Sequence, residues 1–226
     1  MKEVDNIYNG LGFLYPTTVI PQLKRTLVKF PETEIYMSDA FSLGQLKSKL
    51  WLIDNLPNGL GTVFICAGWY GTLASLMFER SKGKFDKIRS FDIDDSCASV
   101  ADTMNRPYVM EGWQFKASTL DILEMKFPTT HVTLRADGSS LELTEMPDTI
   151  INTSCEHIPN FEKWYNKIPK GTLVVVQSNN YFEIEEHVNC SKSIDKFGEQ
   201  TPMDNLLYEG ELYLEKYTRF MRIGYK

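Results

Sequence analysis

The stretch TVFICAGWYGTLASLMFERSKGKFDKIRSFDIDD, residues 62–95, decides the fold. TVFICA is a short, nearly unbroken apolar run, the pattern of a strand buried on both faces. It stops at Gly68, and YGTLASLMFERSK then sets Leu73, Leu76 and Met77 on one face of a helix. KIRSFDID returns to strand character. Strand, helix and strand in this order build a parallel sheet covered by helices.

Working downstream, SCASVADTMN reads as a helix, and residues 107–130 as loop-rich with weak helical character around STLDILEM. HVTLRAD is expected as the third strand of the sheet, DTIINTS as the fourth and TLVVVQS as the fifth. NFEKWYNKI forms a helix between the last two, closed by the turn Pro169-Lys170-Gly171. LYEGELYLEKYTRFMRIGY reads as paired antiparallel strands at a sheet edge. Upstream, SDAFSLGQLKSKLWLIDNLPNG is the clearest helix. Ser38 or Asp39 is the expected cap, and Leu43, Leu46, Leu50 and Ile53 recur at helical spacing. The chain thus divides into an N-terminal helical cap, residues 1–57, and an α/β domain, residues 58–226.

Composition bounds the function. Of 226 residues, 42% are hydrophobic and 24% charged, enough apolar surface for a real core. Lys and Arg total 24 against 30 for Asp and Glu, a formal charge of -6. That balance disfavours a protein that holds nucleic acid mainly by its phosphates. The start, MKEVDNIYNG, has no apolar core of a signal peptide, and no run is long enough to span a membrane, so a cytoplasmic chain with no membrane partner is expected. Cys66, Cys97, Cys155 and Cys190 are widely spaced, so no metal site and no disulfide framework is expected from them.

Open α/β sheets bind ligands at the carboxyl ends of their strands. The first strand ends in CAGWYG, where Gly68 and Gly71 bracket a turn into a helix whose free amides attract an anion. The second ends in Asp92-Ile93-Asp94-Asp95. Asp92 suits the two ribose hydroxyls of an adenosine, while Asp95 or Ser96 caps the next helix. The third ends in Asp137-Gly138, where a carboxylate can accept from an adenine amino group, although the dipeptide makes a turn equally well. The fourth ends in Asn152, Thr153, Ser154, Cys155, Glu156 and His157, more polar groups than packing calls for.

In this order the glycine turn, the acidic second strand, the Asp-Gly pair and CEHIPNFEKWYNKIPKGTLVVVQ resemble the class I S-adenosylmethionine-dependent methyltransferases, especially those acting on small molecules. The resemblance covers residues 62–178, and LYEGELYLEKYTRFMRIG resembles the family's final strands. It implies a single Rossmann-like methyltransferase domain with a mostly parallel, mixed seven-stranded sheet. It also implies binding of S-adenosylmethionine, with S-adenosylhomocysteine as product, by Ala67, Gly68, Trp69, Tyr70, Gly71, Asp92, Ile93, Asp137, Gly138 and Asn152. His157 is then the expected general base, with Glu156 as its partner or as an anchor, and Asn152 orients the acceptor. His187 is either a second imidazole on a lid or a surface residue. Two features depart from the family: Ile65 stands where an acid is usual, and Ala67 or Trp69 where a third glycine is. The acceptor is expected to be a small polar molecule. RNA is the alternative, with phosphate contacts from Lys47, Lys49 and Arg135 and stacking on Tyr108, Trp113 and Phe115. A cofactor-binding partner that has lost turnover is a further alternative.

Overall fold

The computed structural model describes Gly10, residues 17–135 and residues 137–226. The expected N-terminal cap therefore falls partly outside the described residues. Three helices open the described chain: α1 (Val19–Lys29), α2 (Glu34–Ala40) and α3 (Leu43–Asn55). There follow β1 (Thr62–Cys66), α4 (Thr72–Arg80), β2 (Lys87–Asp92), α5 (Cys97–Met104), α6 (Arg106–Met110) and β3 (Phe115–Thr119). Next come β4 (Thr129–Leu134), β5 (Ser140–Glu145), β6 (Thr149–Asn152), α7 (Phe161–Lys167) and β7 (Leu173–Asn179). The chain closes with α8 (Ile194–Gln200), β8 (Asn205–Tyr213) and β9 (Thr218–Tyr225).

Seven strands form one sheet in the order β3-β2-β1-β6-β7-β9-β8. The first five are parallel, and β9 runs antiparallel to both of its neighbours. Alternate side chains of each central strand enter different cores, as the two-residue period of a strand demands. Val63, Ile65, Ile88, Ile151 and Val175 pack with α4, α5 and α3 on one face. Phe64, Cys66, Phe91, Ile150, Val174 and Val176 pack with Phe161, Trp164 and Tyr165 of α7 and Phe197 of α8 on the other. Strand order reverses at β1, which lies between β2 and β6, so the cleft of this fold opens beyond their carboxyl ends.

Two expectations are corrected. The third sheet strand is Phe115–Thr119, from the stretch read as loop-rich. HVTL instead lies in the first strand of a separate hairpin, β4–β5, which packs against the sheet through Phe91 and Ser118. Asp137 and Gly138 occupy the exposed turn of that hairpin, where Asp137 accepts hydrogen bonds from the Ser139 N–H and hydroxyl. They are therefore not at the end of a sheet strand; the carboxylate just beyond β3 is Asp121, which accepts from the Leu123 N–H at 2.8 Å. Second, the long N-terminal helix starts later than read. Ser42, not Ser38 or Asp39, caps α3 by accepting from the Gln45 N–H, and residues 34–40 are a helix of their own.

The N-terminal helices share the core of the sheet. Leu52 and Ile53 of α3 are buried in it, Ser48 donates to Gln177 of β7 at 2.9 Å, and Thr18 bonds Glu79 of α4. No described helix is long and apolar enough to cross a membrane.

The hairpin is fastened by one carboxylate. Glu145 accepts from Lys87 at 2.6 Å, from Arg89 Nε at 2.6 Å and lies 3.2 Å from His131 Nε2. Burial pushes its pKa up, but the bonds from His131, Arg89 and Lys87 outweigh that and hold it well below the usual carboxylate range. A depressed carboxylate stabilises the fold above its unfolded-state value of about 4 and loses that contribution as pH falls further. Glu145→Gln is expected to cost about 2 kcal/mol at pH 7, allowing for the solvent around Lys87. In urea unfolding the gap between variant and wild type should close as the pH is taken below about 4; a gap independent of pH would show that the charge of Glu145 does not hold the hairpin.

Candidate functional site

The turn from β1 into α4 has an unusual backbone. Ala67, Trp69 and Gly71 have φ of 55°, 48° and 71°, all in the left-handed region that favours glycine. The two non-glycine residues there each carry strain of about 1 kcal/mol, held in place by the surrounding bonds. Gly68 N–H donates to the Phe91 carbonyl at 2.9 Å, and Trp69 N–H donates to Asp92 Oδ2 at 2.8 Å. Asp92 Oδ1 accepts from the Asp94 N–H at 3.2 Å. A carboxylate has about four acceptor sites, so Asp92 keeps capacity on both oxygens. Burial at the strand end raises its pKa against these bonds. A side chain at Gly68 would run into Ser90 Oγ, and one at Gly71 would meet Asn105 Nδ2 at 2.6 Å.

A cavity of about 440 Å³ opens above this turn, lined by Ala67, Gly68, Trp69, Asp92, Ile93 and His157 among others. Its roof comes from the N-terminal helices through Asp39, Gln45 and Lys49. A second cavity, of about 540 Å³, adjoins it; Asp39, Gln45 and His157 border both. Lys49 is half-buried and donates to Gln45 Oε1 at 2.7 Å. Burial first, and then the charge of Arg219, lower its pKa to about 7.

At the end of β6 the chain turns through a short 3₁₀ segment, Cys155–His157. Glu156 is buried there, and its Oε1 accepts from Arg219 Nη1 at 2.7 Å and from Asn179 Nδ2 at 2.6 Å. Arg219 is itself buried and also donates to the Thr153 carbonyl. His157 stands edge-on to His187, with ring centroids 4.5 Å apart. His157 keeps an exposed face, yet desolvation by the residues around it lowers its pKa, opposed by the charge of Glu156. His187 comes from the loop after β7, which is tied to the same place: Asn189 N–H donates to the Glu156 carbonyl and Asn189 Nδ2 to the Cys155 carbonyl.

Of the residues expected at the site, Ala67, Gly68, Trp69, Asp92, Ile93 and His157 line the first cavity. Tyr70 does not: it stacks on Trp69 at 4.9 Å and is buried with Met37, Cys97 and Val100. Gly71 shapes the turn behind the cavity. Asn152 is fully buried, and its Oδ1 accepts from the Ser154 N–H at 2.8 Å, so it braces the strand end and lines neither cavity. Asp137 and Gly138 lie on the hairpin turn. Of the three side chains expected to stack RNA bases, Phe115 is buried, Tyr108 stacks on Phe78 at 3.7 Å, and Trp113 is half-buried. Sequence reading missed Asp39 and the inward side of Lys49. Gln45 and Lys49 are four apart and share a helix face, but nothing local shows that this face turns toward the cavity. Cys155 is buried, which raises its pKa far above that of a reactive thiol, and all four cysteines are free.

No family model matches the chain, and no curated protein matches it in sequence. Solved structures do match in fold. The N-methyltransferase NodS from Bradyrhizobium japonicum WM9 aligns with a TM-score of 0.56 and 8% identity, over 83% of this chain and 98% of that one. The CurJ carbon methyltransferase aligns with a TM-score of 0.58 and 11% identity, over 98% of this chain and 71% of that one. The small RNA methyltransferase HEN1 aligns with a TM-score of 0.55 and 14% identity, over 81% of this chain and 25% of that one. These neighbours act on different classes of substrate and share one architecture. With its seven-stranded sheet and the cavity at the switch point, the chain has the Rossmann-like fold of the class I S-adenosylmethionine-dependent methyltransferases.

Proposed function

We propose that the protein binds S-adenosylmethionine and transfers its methyl group to a small polar acceptor. The observation that carries this reading is the cavity at the carboxyl ends of β1, β2 and β6, with the Ala67–Gly71 turn and Asp92 on its wall and charged side chains in its roof. Asp92 takes the ribose hydroxyls with the acceptor capacity left on its two oxygens. Ile93, exposed at the cavity wall, offers apolar surface to the adenine. The first strand lacks an acid, and the roof supplies the charges instead. Asp39 would hold the amino group of the cofactor's methionine portion, and Lys49 its carboxylate.

Methyl transfer asks little covalent chemistry of the protein. Bound S-adenosylmethionine would supply an electrophilic methyl group: a lone pair of the acceptor would take it, sulfur would keep the electrons of the broken carbon–sulfur bond, and the acceptor would give up a proton. The rate then comes from alignment and from handling that proton. His157, on the wall between the two cavities, is placed to orient or deprotonate an acceptor held in the second.

Calorimetric titration with S-adenosylhomocysteine, with NAD as control, tests the reading: saturable binding of the first alone is expected, and absence of binding would overturn it. Asp92→Ala should weaken that binding by about 1–3 kcal/mol; an unchanged affinity would remove the second strand from the cofactor site. Lys49 binds a carboxylate only when protonated. With its pKa at about 7, affinity should be greatest below pH 7 and should decline toward pH 8.5. Asp39 on α2, Glu156, and Arg219 on β9 are the charged groups around it, and they stay in place in Lys49→Met. That variant should bind about tenfold more weakly at pH 6.5 and lose the pH dependence.

A further inference from the structure

Three ligand groups from two separate parts of the chain meet at the border of the two cavities. Glu156 and His157 sit on the 3₁₀ segment after β6, and His187 on the loop after β7. One ligand atom from each lies within 4.8 Å of the others. Two further facts bear on what they are for. Glu156 Oε1 is fully used by Arg219 and Asn179, but Oε2 is buried and has no partner. A buried acceptor left unmatched costs about 1–3 kcal/mol, so such an atom calls for an occupant. His187 Nδ1 lies 2.7 Å from the Tyr181 carbonyl, an acceptor only, so Nδ1 carries the proton and Nε2 carries the lone pair. A backbone carbonyl holding the far nitrogen of an imidazole is the arrangement that orients metal-binding histidines.

We propose that Glu156 Oε2, His157 and His187 Nε2 bind one divalent transition-metal ion. Two imidazoles and one carboxylate suit manganese, iron, cobalt or zinc better than magnesium or calcium, which favour oxygen ligands. Atoms bound to one ion at about 2.1 Å stand no more than about 4.2 Å apart. Small side-chain rotations of the two histidines close the remaining gap. Three protein ligands leave coordination positions open, as in catalytic rather than structural sites. Those positions face the second cavity, which Glu156, His157 and His187 all line. Arg219 on the other carboxylate oxygen draws charge away from the ion, so binding is weaker than in a closed four-ligand site.

Binding of the ion does not depend on the methyl-transfer reading; what it does for the acceptor rests on that reading. An ion there would hold an acceptor oxygen or nitrogen and ease loss of its proton. His157 then serves as a ligand and not as the base.

The test uses the untagged full chain, stripped with a chelator and titrated with Co²⁺ while visible absorption is followed, with Mn²⁺ and Zn²⁺ titrated by calorimetry. Saturable one-to-one binding with ligand-field bands is expected. His157→Ala and His187→Ala should each weaken it by about tenfold or more. Both substitutions lie outside the core, and urea unfolding in chelator should match wild type. No saturable binding, or equal affinity in the double variant, would overturn the proposal. S-adenosylhomocysteine is titrated into the same samples. Metal binding without it would refute the cofactor reading alone, and the reverse would refute the metal site alone.

Discussion

Parallel strands cannot be joined by a tight turn, so each of β1, β2 and β6 must be reached by a crossover of its own. The pairing of β1 with β2 on one side and with β6 on the other is therefore the constraint on which everything else depends. It sends the chain to opposite sides of β1 and leaves a crevice beyond the strand ends, which α2 and α3 roof. Ala67, Asp92 and His157 are where they are because they end or follow one of these three strands.

A crevice at strand ends exposes backbone groups and strained turns, and the molecule stabilises them with charge. Asp92 ties down the Trp69 N–H, which keeps a tryptophan in a left-handed conformation. Glu156 and Arg219 form a buried pair that joins the end of β6 to β9. Breaking such a pair by removing one partner costs several kcal/mol, even where the intact pair adds little net stability. The same logic recurs on the far side of the sheet, where Glu145 gathers Lys87, Arg89 and His131. β1 carries no acidic residue, and the α2–α3 roof brings Asp39 and Lys49 over the cavity.

Sequence and structure part company most clearly at the third strand. HVTL does lie in a strand, but its apolar residues Val132 and Leu134 face solvent while His131 and Thr133 are buried, the reverse of the usual apolar-in pattern, because polar partners on the sheet receive that face. FKAST is buried over its first four residues, yet its Lys and Ser disguise it. Lys116 is tolerated inside because Asp102 and the Leu134 carbonyl take its ammonium group. That neutralisation involves residues 14 and 18 positions away, and no local pattern announces it. The same holds for His187, which reaches His157 only because Asn189 pins its loop to Glu156 and Cys155.

The sequence by itself determined the β1–α4–β2 unit, the strands β6 and β7, and the acidic and glycine positions at their ends. These follow from local periodicity and from turn chemistry, both set by neighbouring residues. Only the tertiary structure decided that the third strand is Phe115–Thr119 and that Asn152 faces inward. It also decided that Tyr70 packs away from the first cavity, that Lys49 and Asp39 line it, and that His187 lines the second. The physical reason is one of range. Burial and charge pairing depend on partners far along the chain, and the sheet order that brings them together is a property of the whole core.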